Sequence, residues 1–171
     1  KQLNKCDGII SVSEQRKQQM IDLGVTTPIT VIKNGINFYN IKSDEKQELE
    51  ILEKYAPSMI DKNKLQLIFI GRLEDVKNIK FSLKVVQILK NNGCNFHLTL
   101  IGNGKDMNKY VNFVESNNLT SDVTFTGRID DEEVKNVLLK NASLFLFPSL
   151  TESDSLAILE TAYQKTPSLV I

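Results

Sequence analysis

The segment LQLIFIGRLEDVKNIKFSLKVVQILKNNGCNFHLTLIG (residues 65–102) determines the predicted architecture. It begins with an apolar run (65–71), continues through residues 77–91, whose apolar side chains share one broad helical face, and ends in a second apolar run (96–102). Strands that are almost continuously apolar are typical of a parallel sheet covered on both faces. Strands joined by crossover helices therefore predict a doubly wound parallel α/β fold.

The same alternation continues on both sides of this segment. Further strands are predicted at 7–13, 29–32, 123–127, 142–148 and 168–171. Further helices are predicted at 13–23, 44–55, 105–117 and 130–141, and from Ser153 or Ser155 to Gln164. Residues 37–64 are mostly polar and charged, and we interpret them as a linker or hinge region. Since the chain stops on a strand, we expect the last βα unit of the sheet to be missing.

Composition and charge exclude several classes of protein. The 171 residues suffice for one compact domain and are few for two. The chain has 21 basic and 21 acidic residues, so its formal net charge is zero and does not indicate a nucleic-acid partner. Cys6, Cys94 and the single histidine, His97, make neither a disulfide framework nor a zinc site. No apolar run approaches the roughly 20 residues of a membrane span. Since the first residues show no initiator methionine, no long apolar h-region and no cleavage site, we expect a soluble cytoplasmic protein and a fragment of a longer one.

The first candidate site follows the strand at 65–71, because ligands bind at the carboxyl ends of strands in such sheets. Gly71 permits close approach of the backbone to a ligand, and Arg72 offers a planar fork for phosphate. Lys77 is expected at the start of the next helix, where a cation opposes the helix dipole unless an anion neutralises it. The alternative is that Arg72 pairs with Glu74 or Asp75 on a solvated loop.

Two other strand ends carry glycine. Gly102 and Gly104 form a Gly-x-Gly turn, which is a weak nucleotide signal because tight turns also use glycine for geometry alone. At residues 127–129 the chain passes over the strand edge, so the backbone of Ile129 is able to offer hydrogen bonds to a base. A simple turn is the alternative at both places.

The fourth strand end leads into residues 148–160. A helix opens within Ser153-Asp154-Ser155, whose free N–H groups favour an anion. Glu152 lies just before that start and is expected to point into the cleft. Glu160 lies on a largely apolar helix, where an unpaired carboxylate is unfavourable, and it is able to accept hydrogen bonds from the two hydroxyls of a ribose. The alternative is that both acids only complement the helix dipole.

A family resemblance rests on four stretches taken together: DGIISVSEQRKQQMIDLGV with TVIKNGIN; IFIGRLEDVKN; LIGNGKDM followed by VTFTGRI; and FPSLTESDSLAILETAYQKTP. In their order and spacing, they resemble the second half of retaining, nucleotide-sugar-dependent glycosyltransferases of the two-Rossmann-domain (GT-B) type with a Glu-x7-Glu motif. The resemblance implies that residues 1–33 end an N-terminal acceptor domain. Residues 34–64 would then be the interdomain linker and lead-in, and residues 65–171 an incomplete Rossmann-like donor domain.

The resemblance also implies roles for individual residues. Arg72 and Lys77 would hold the donor diphosphate, Glu160 the ribose, and the Ile129 backbone the base. Catalytic roles would fall to Glu152, Arg72 and Lys77. The other donor-binding positions would be Gly71, Gly102, Asp154, Ser155 and Leu156, of which the last three address the sugar and phosphate through their backbone.

No metal and no cofactor are expected by this resemblance, since cationic side chains and a helix terminus would stabilise the leaving group. The donor would be a UDP-, GDP- or ADP-sugar. The acceptor would be an envelope polysaccharide or glycolipid at the cytoplasmic membrane face, with peripheral membrane association through the longer protein. The 171 residues alone are expected to transfer nothing.

Two positions depart from the family pattern. The family usually has glycine at the position of Ser155, so we expect this serine to narrow the donor pocket or to disfavour a positive φ. Lys165 stands where a small residue or glycine is usual and is expected to weaken the helix end.

A non-catalytic sugar-nucleotide binder therefore remains an alternative. A dinucleotide-dependent oxidoreductase, based on residues 101–104, is a further one, although its pattern lacks a third glycine and a partner acid.

Overall fold

The computed structural model describes residues 2–36, 44–152 and 155–171. Its elements alternate between strands and helices along the chain. In chain order they are β1 (Ile9–Ser11), α1 (Glu14–Asp22), β2 (Ile29–Val31), α2 (Glu45–Tyr55), β3 (Leu65–Ile70), α3 (Ile79–Asn91), β4 (Phe96–Ile101), α4 (Met107–Ser116), β5 (Val123–Gly127), α5 (Glu132–Lys140), β6 (Leu144–Phe147), α6 (Leu156–Tyr163) and β7 (Ser168–Val170).

Five of the strands form one parallel sheet in the order β5-β4-β3-β6-β7. This confirms the predicted doubly wound parallel α/β fold. The chain first builds outward from β3 through β4 to β5, then returns to the other side of β3 with β6. A crevice therefore opens beyond the carboxyl ends of β3 and β6, where the strand order reverses, and this is the place where such sheets bind ligands.

A hydrophobic core lies on each face of this sheet, as the continuously apolar strands require. Alternate residues of one strand enter different cores, so Phe69 packs with Leu83 of α3 on one face and Ile68 packs with Leu138 of α5 on the other. All four side chains are completely buried. The carboxyl edge of the sheet is thus held on a rigid support.

Helix α2 packs on the second core, within the region interpreted as a linker. Asp44 caps it by accepting a hydrogen bond from the N–H of Gln47, and the Gln47 side chain accepts one from the N–H of Asp44. Leu52, Ala56 and Met59 are buried among the residues of that core. Residues 44–60 therefore pack with the five-stranded sheet as part of the same core. Residues 37–43 lie outside the described ranges. The interdomain boundary at residues 34–64 stays a prediction.

Residues 2–36 contain a separate two-stranded parallel sheet of β1 and β2. Ile10 and Ile32 are exposed there. Assignment of residues 1–33 to the end of another domain stays a prediction. No helix in the described ranges is long and apolar enough to cross a membrane.

The start of α3 differs from its prediction. Residues Asp75–Lys77 form a 3-10 turn, Asn78 then takes a left-handed conformation (φ 52°), and α3 begins only at Ile79. Asparagine tolerates this conformation better than most residues, which is why the break falls there. The prediction that Lys77 lies at a helix start is therefore wrong, because Lys77 ends a short turn that precedes the helix.

The end of α6 carries strain that a single substitution should relieve. Lys165 has φ 61°, which is unfavourable for any residue with a Cβ, and glycine is the usual residue at this position. Its N–H donates to the carbonyl of Ala162, as the N–H of Gly93 donates to Lys90 after α3. We expect Lys165→Gly to raise the free energy of unfolding by about 1 kcal/mol in urea denaturation.

The chain supplies a reciprocal control for this prediction. Gly93 has φ 69° and open space around its Cβ position. Gly93→Lys should therefore lower the free energy of unfolding by a similar amount, about 1 kcal/mol. Loss of stability in Lys165→Gly would show that the lysine side chain contributes more than its backbone strain removes.

Candidate active site

Two of the predicted site residues meet in the crevice between β3 and β6. The Nζ of Lys77 lies 2.6 Å and 2.8 Å from the two carboxylate oxygens of Glu152. The side chains are only 16% and 28% exposed, so this ion pair is largely shielded from water. The N–H of Leu150 donates to the carbonyl of Val76 at 3.0 Å and ties the two loops together. The fold thus places a cation and a carboxylate from distant parts of the sequence at the strand-order reversal.

A cavity of about 480 Å³ lies at the same edge of the sheet, at the carboxyl ends of β3, β4 and β5. Gly71, Arg72, Gly102 and Ile129, all predicted as donor-binding residues, line it. The Arg72 side chain is 70% exposed and forms an ion pair with Glu74, with 3.3 Å between Nη1 and Oε1. This is the pairing that the sequence left open as an alternative. Such an exposed pair contributes roughly 0–1 kcal/mol, so it leaves Arg72 available to an anion.

The glycines of the Gly-x-Gly turn are required by packing between two loops. A Cβ at Gly102 would overlap the carbonyl oxygen of Gly71, and a Cβ at Gly104 would overlap that of Leu73. The N–H of Leu73 also donates to the carbonyl of Asn103 at 3.0 Å. The β4–α4 loop therefore lies directly against the backbone of the β3–α3 loop. This accounts for both glycines without a ligand and removes the observation on which the oxidoreductase alternative rested.

Three residues that the sequence analysis did not single out hold the turn that carries Lys77. Asp106 accepts a hydrogen bond from the N–H of Asp75 at 2.9 Å, and the hydroxyl of Tyr110 donates to the Asp75 carboxylate at 3.1 Å. Lys109 forms an ion pair with the same carboxylate and, with Tyr110, lowers the pKa of Asp75. The only local signal was a polar run at the start of α4, which is ordinary for a helix.

Glu160 lies in a second cavity, of about 310 Å³, which Leu156 also lines. Lys135 of α5 approaches it, with 3.9 Å between Nζ and Oε1, and forms a closer ion pair of 2.6 Å with Glu132. Burial raises the pKa of Glu160, the charge of Lys135 opposes this, and Glu132 adds to it. Lys135 also lines the larger cavity and so joins the two parts of the site. The argument applied to Lys77, that a cation at a helix start opposes the helix dipole, would also have singled out Lys135 in the first turn of α5.

The remaining predicted positions lie near the start of α6. Ser155 precedes the helix with φ −99°, an ordinary extended conformation. The effect of this serine on the donor pocket and on a positive φ in the presence of donor stays a prediction. Asp154 lies outside the described residues. Within the part of the chain that the structure describes, no three His, Cys, Asp or Glu side chains are grouped so that they could hold a metal ion.

Comparison with known proteins connects this geometry to one family. The family described as glycosyl transferases group 1 matches residues 51–171. Protein CapJ of Staphylococcus aureus is 29% identical over 137 residues, which cover 80% of this chain and 34% of CapJ. The capsular polysaccharide biosynthesis glycosyltransferase CapH of the same organism is 31% identical over 149 residues, which cover 79% of this chain and 40% of CapH.

The fold is also similar to solved structures. The crystal structure of HepE from Anabaena in complex with UDP-glucose superposes with a TM-score of 0.79 over 96% of this chain and 44% of that chain, at 16% sequence identity. The sheet and its helices thus match the Rossmann-like C-terminal domain of the GT-B fold. The chain spans less than half the length of these relatives.

Proposed function

Since the chain belongs to the glycosyl transferases group 1 family, we propose that it forms the donor-binding part of a longer enzyme that transfers a sugar from a nucleotide diphosphate to a saccharide or lipid-linked acceptor. The observation that carries this proposal is the Lys77–Glu152 pair at the strand-order reversal, at the same sheet edge as a cavity lined by Arg72 and Ile129. A nucleoside diphosphate offers the base, ribose and charged groups that these parts would bind.

The proposed binding mode assigns one part of the donor to each group. The base would lie against the backbone of Ile129, the ribose hydroxyls would donate to the Glu160 carboxylate, and the diphosphate would contact Arg72 and Lys77. As the bond between sugar and phosphate breaks, negative charge develops on the diphosphate. Two cations already in place would stabilise that charge, which is the largest electrostatic contribution available to such a step.

The Lys77–Glu152 pair suggests how donor binding prepares the site. In this structure the ammonium is held by two carboxylate oxygens. An arriving diphosphate would compete for the Lys77 charge and leave Glu152 to accept hydrogen bonds from the hydroxyls of the sugar. The shielded position of the pair strengthens both interactions, because exclusion of water lowers the local dielectric.

Several finer features belong to the same proposal. We include transfer with retention, a hexosyl group and an acceptor at the cytoplasmic membrane face on the basis of the Glu-x7-Glu resemblance. An envelope polysaccharide or glycolipid as acceptor is also supported by relatives such as CapH, which is named for capsular polysaccharide biosynthesis. No metal has a role in the proposed charge stabilisation. The configuration of the product made by the longer enzyme, read by NMR of the anomeric proton, tests retention.

Isothermal titration calorimetry of the 171-residue chain tests donor binding. We expect saturable binding of at least one of UDP, GDP and ADP, weaker binding of the corresponding monophosphate, and no preference for NAD. Saturable binding of NAD with no response to any nucleoside diphosphate would contradict the proposal.

Replacement of Glu160 by glutamine tests the ribose assignment. Glu160→Gln should weaken UDP binding by about tenfold, because hydrogen bonds to a charged acceptor contribute about 1.5–3 kcal/mol. The loss should be smaller for 2′-deoxy-UDP, which lacks one of the hydroxyls. Glu53→Gln, on the exposed face of α2, serves as the control and should change neither affinity. Equal loss for both ligands would show that Glu160 supports the helix rather than the ribose.

A further inference from the structure

Lys135 occupies the wall between the two cavities. Its side chain lines the larger cavity beside Arg72 and Ile129, and its ammonium faces Glu160, which lines the smaller one. Only 15% of the Lys135 side chain is exposed, although it lies in the first turn of a surface helix, where most lysines extend into water. This position is unusual for a residue without a role in the site.

Around Glu160, one ammonium group lies near two carboxylates. Glu132 and Lys135 of α5 face the Glu160 carboxylate. On α6, Tyr163 is the titratable residue that lines the same cavity, and Gly35 and Ile36, which also line it, have no titratable side chain. Glu132 is 53% exposed and competes for the same ammonium at 2.6 Å. One lysine therefore pairs with two carboxylates that both line the smaller cavity, and Glu160 is the less exposed of the two.

We propose that Lys135 is a positioning residue for the nucleotide, which holds the Glu160 carboxylate as an anion directed toward the ribose position. This inference rests on the proposed function. A carboxylate accepts hydrogen bonds from two vicinal hydroxyls, whereas the protonated acid carries a donor of its own and loses part of that capacity. Burial favours the protonated acid at Glu160, so the nearby ammonium decides over which pH range the site accepts a ribose.

The pH dependence of UDP binding distinguishes this role from a structural one. Removal of the ammonium in Lys135→Met raises the pKa of Glu160 further, so the ionised fraction falls first at low pH. We expect the variant to bind UDP about tenfold more weakly than the wild type at about pH 5.5 and less than about threefold more weakly at about pH 8. The ratio of the two dissociation constants at each pH cancels the titration of UDP itself.

Three further variants and one matched control make the test specific. Glu132→Gln should act in the opposite direction and strengthen UDP binding at low pH, because it removes a competing negative charge. Lys135→Arg retains the charge and should restore most of the affinity. In Lys135→Met/Glu160→Gln the extra pH dependence should disappear. Lys140→Met, which removes an exposed lysine paired with Glu48, is the matched control and should follow the wild type.

The possible results distinguish failure of the positioning role of Lys135 from failure of the proposed function. A ratio for Lys135→Met that stays constant from about pH 5.5 to about pH 8 would overturn the positioning role, even if the affinity falls. Unchanged low-pH affinity in Glu132→Gln would overturn it as well, and circular dichroism at both pH values verifies that each variant is folded. Failure of the wild type itself to bind UDP, GDP or ADP would instead count against the proposed function.

Discussion

Replacing both Arg72 and Lys77 with alanine is expected to weaken UDP binding at least about a hundredfold. Each charge-assisted contact to phosphate contributes about 1.5–3 kcal/mol, and 1.4 kcal/mol corresponds to a factor of ten in affinity. The binding of uridine, which lacks phosphate, should change little. Calorimetric titration with both ligands measures the difference directly.

The control variants must account for the Lys77–Glu152 pair. Lys77→Ala leaves a largely buried carboxylate without its partner, which destabilises the fold by itself. Arg72/Lys77/Glu152→Ala/Ala/Gln removes that charge and should show the same loss of UDP binding in a more stable protein. Lys80→Ala, an exposed lysine on α3, should bind UDP like the wild type. Full UDP affinity in the double variant would contradict the diphosphate assignment.

The second large effect is expected in stability. Gly104→Ala should lower the free energy of unfolding by about 3 kcal/mol, because the new Cβ overlaps the backbone of Leu73 and a main chain has little room to move. The Arg72 loop would be displaced at the same time, so UDP affinity should fall in the fraction that remains folded. Urea denaturation and calorimetry measure the two effects.

Gly127→Ala is the matched control for this prediction. Gly127 has φ 75° but open space around its Cβ position, so alanine there introduces backbone strain without overlap. Gly127→Ala should lower the free energy of unfolding by about 1 kcal/mol. If Gly104→Ala were no more destabilising than Gly127→Ala, the two loops would not be packed as described.

The sequence predicts the sheet well because its signal is local. Strands buried on both faces, such as β3 and β4, need continuous apolar runs, and these were visible in the sequence. The start of α3 was mispredicted because the break at Asn78 depends on a turn that is bonded to residues far along the chain. The N–H of Leu150 binds that turn at Val76, and no local pattern shows this contact.

The candidate site could be predicted only in part for the same reason. Lys77 and Glu152 were each singled out from the ends of their strands, but their ion pair depends on the neighbouring positions of β3 and β6. Gly102 suggested a ligand, whereas its nearest neighbour is the backbone of Gly71. Lys135 was missed because the acidic turn around it has the appearance of a solvated helix start.

Titration of UDP into the isotopically labelled chain, followed by two-dimensional amide NMR, tests the central claim most directly. The account predicts saturable shift changes in the amides that border the two cavities at the carboxyl edge of the sheet, those of Gly71, Arg72, Ile129 and Glu160 among them. Saturable changes confined to the opposite edge, around Leu65 and Val123, or no change with UDP, GDP or ADP, would contradict it.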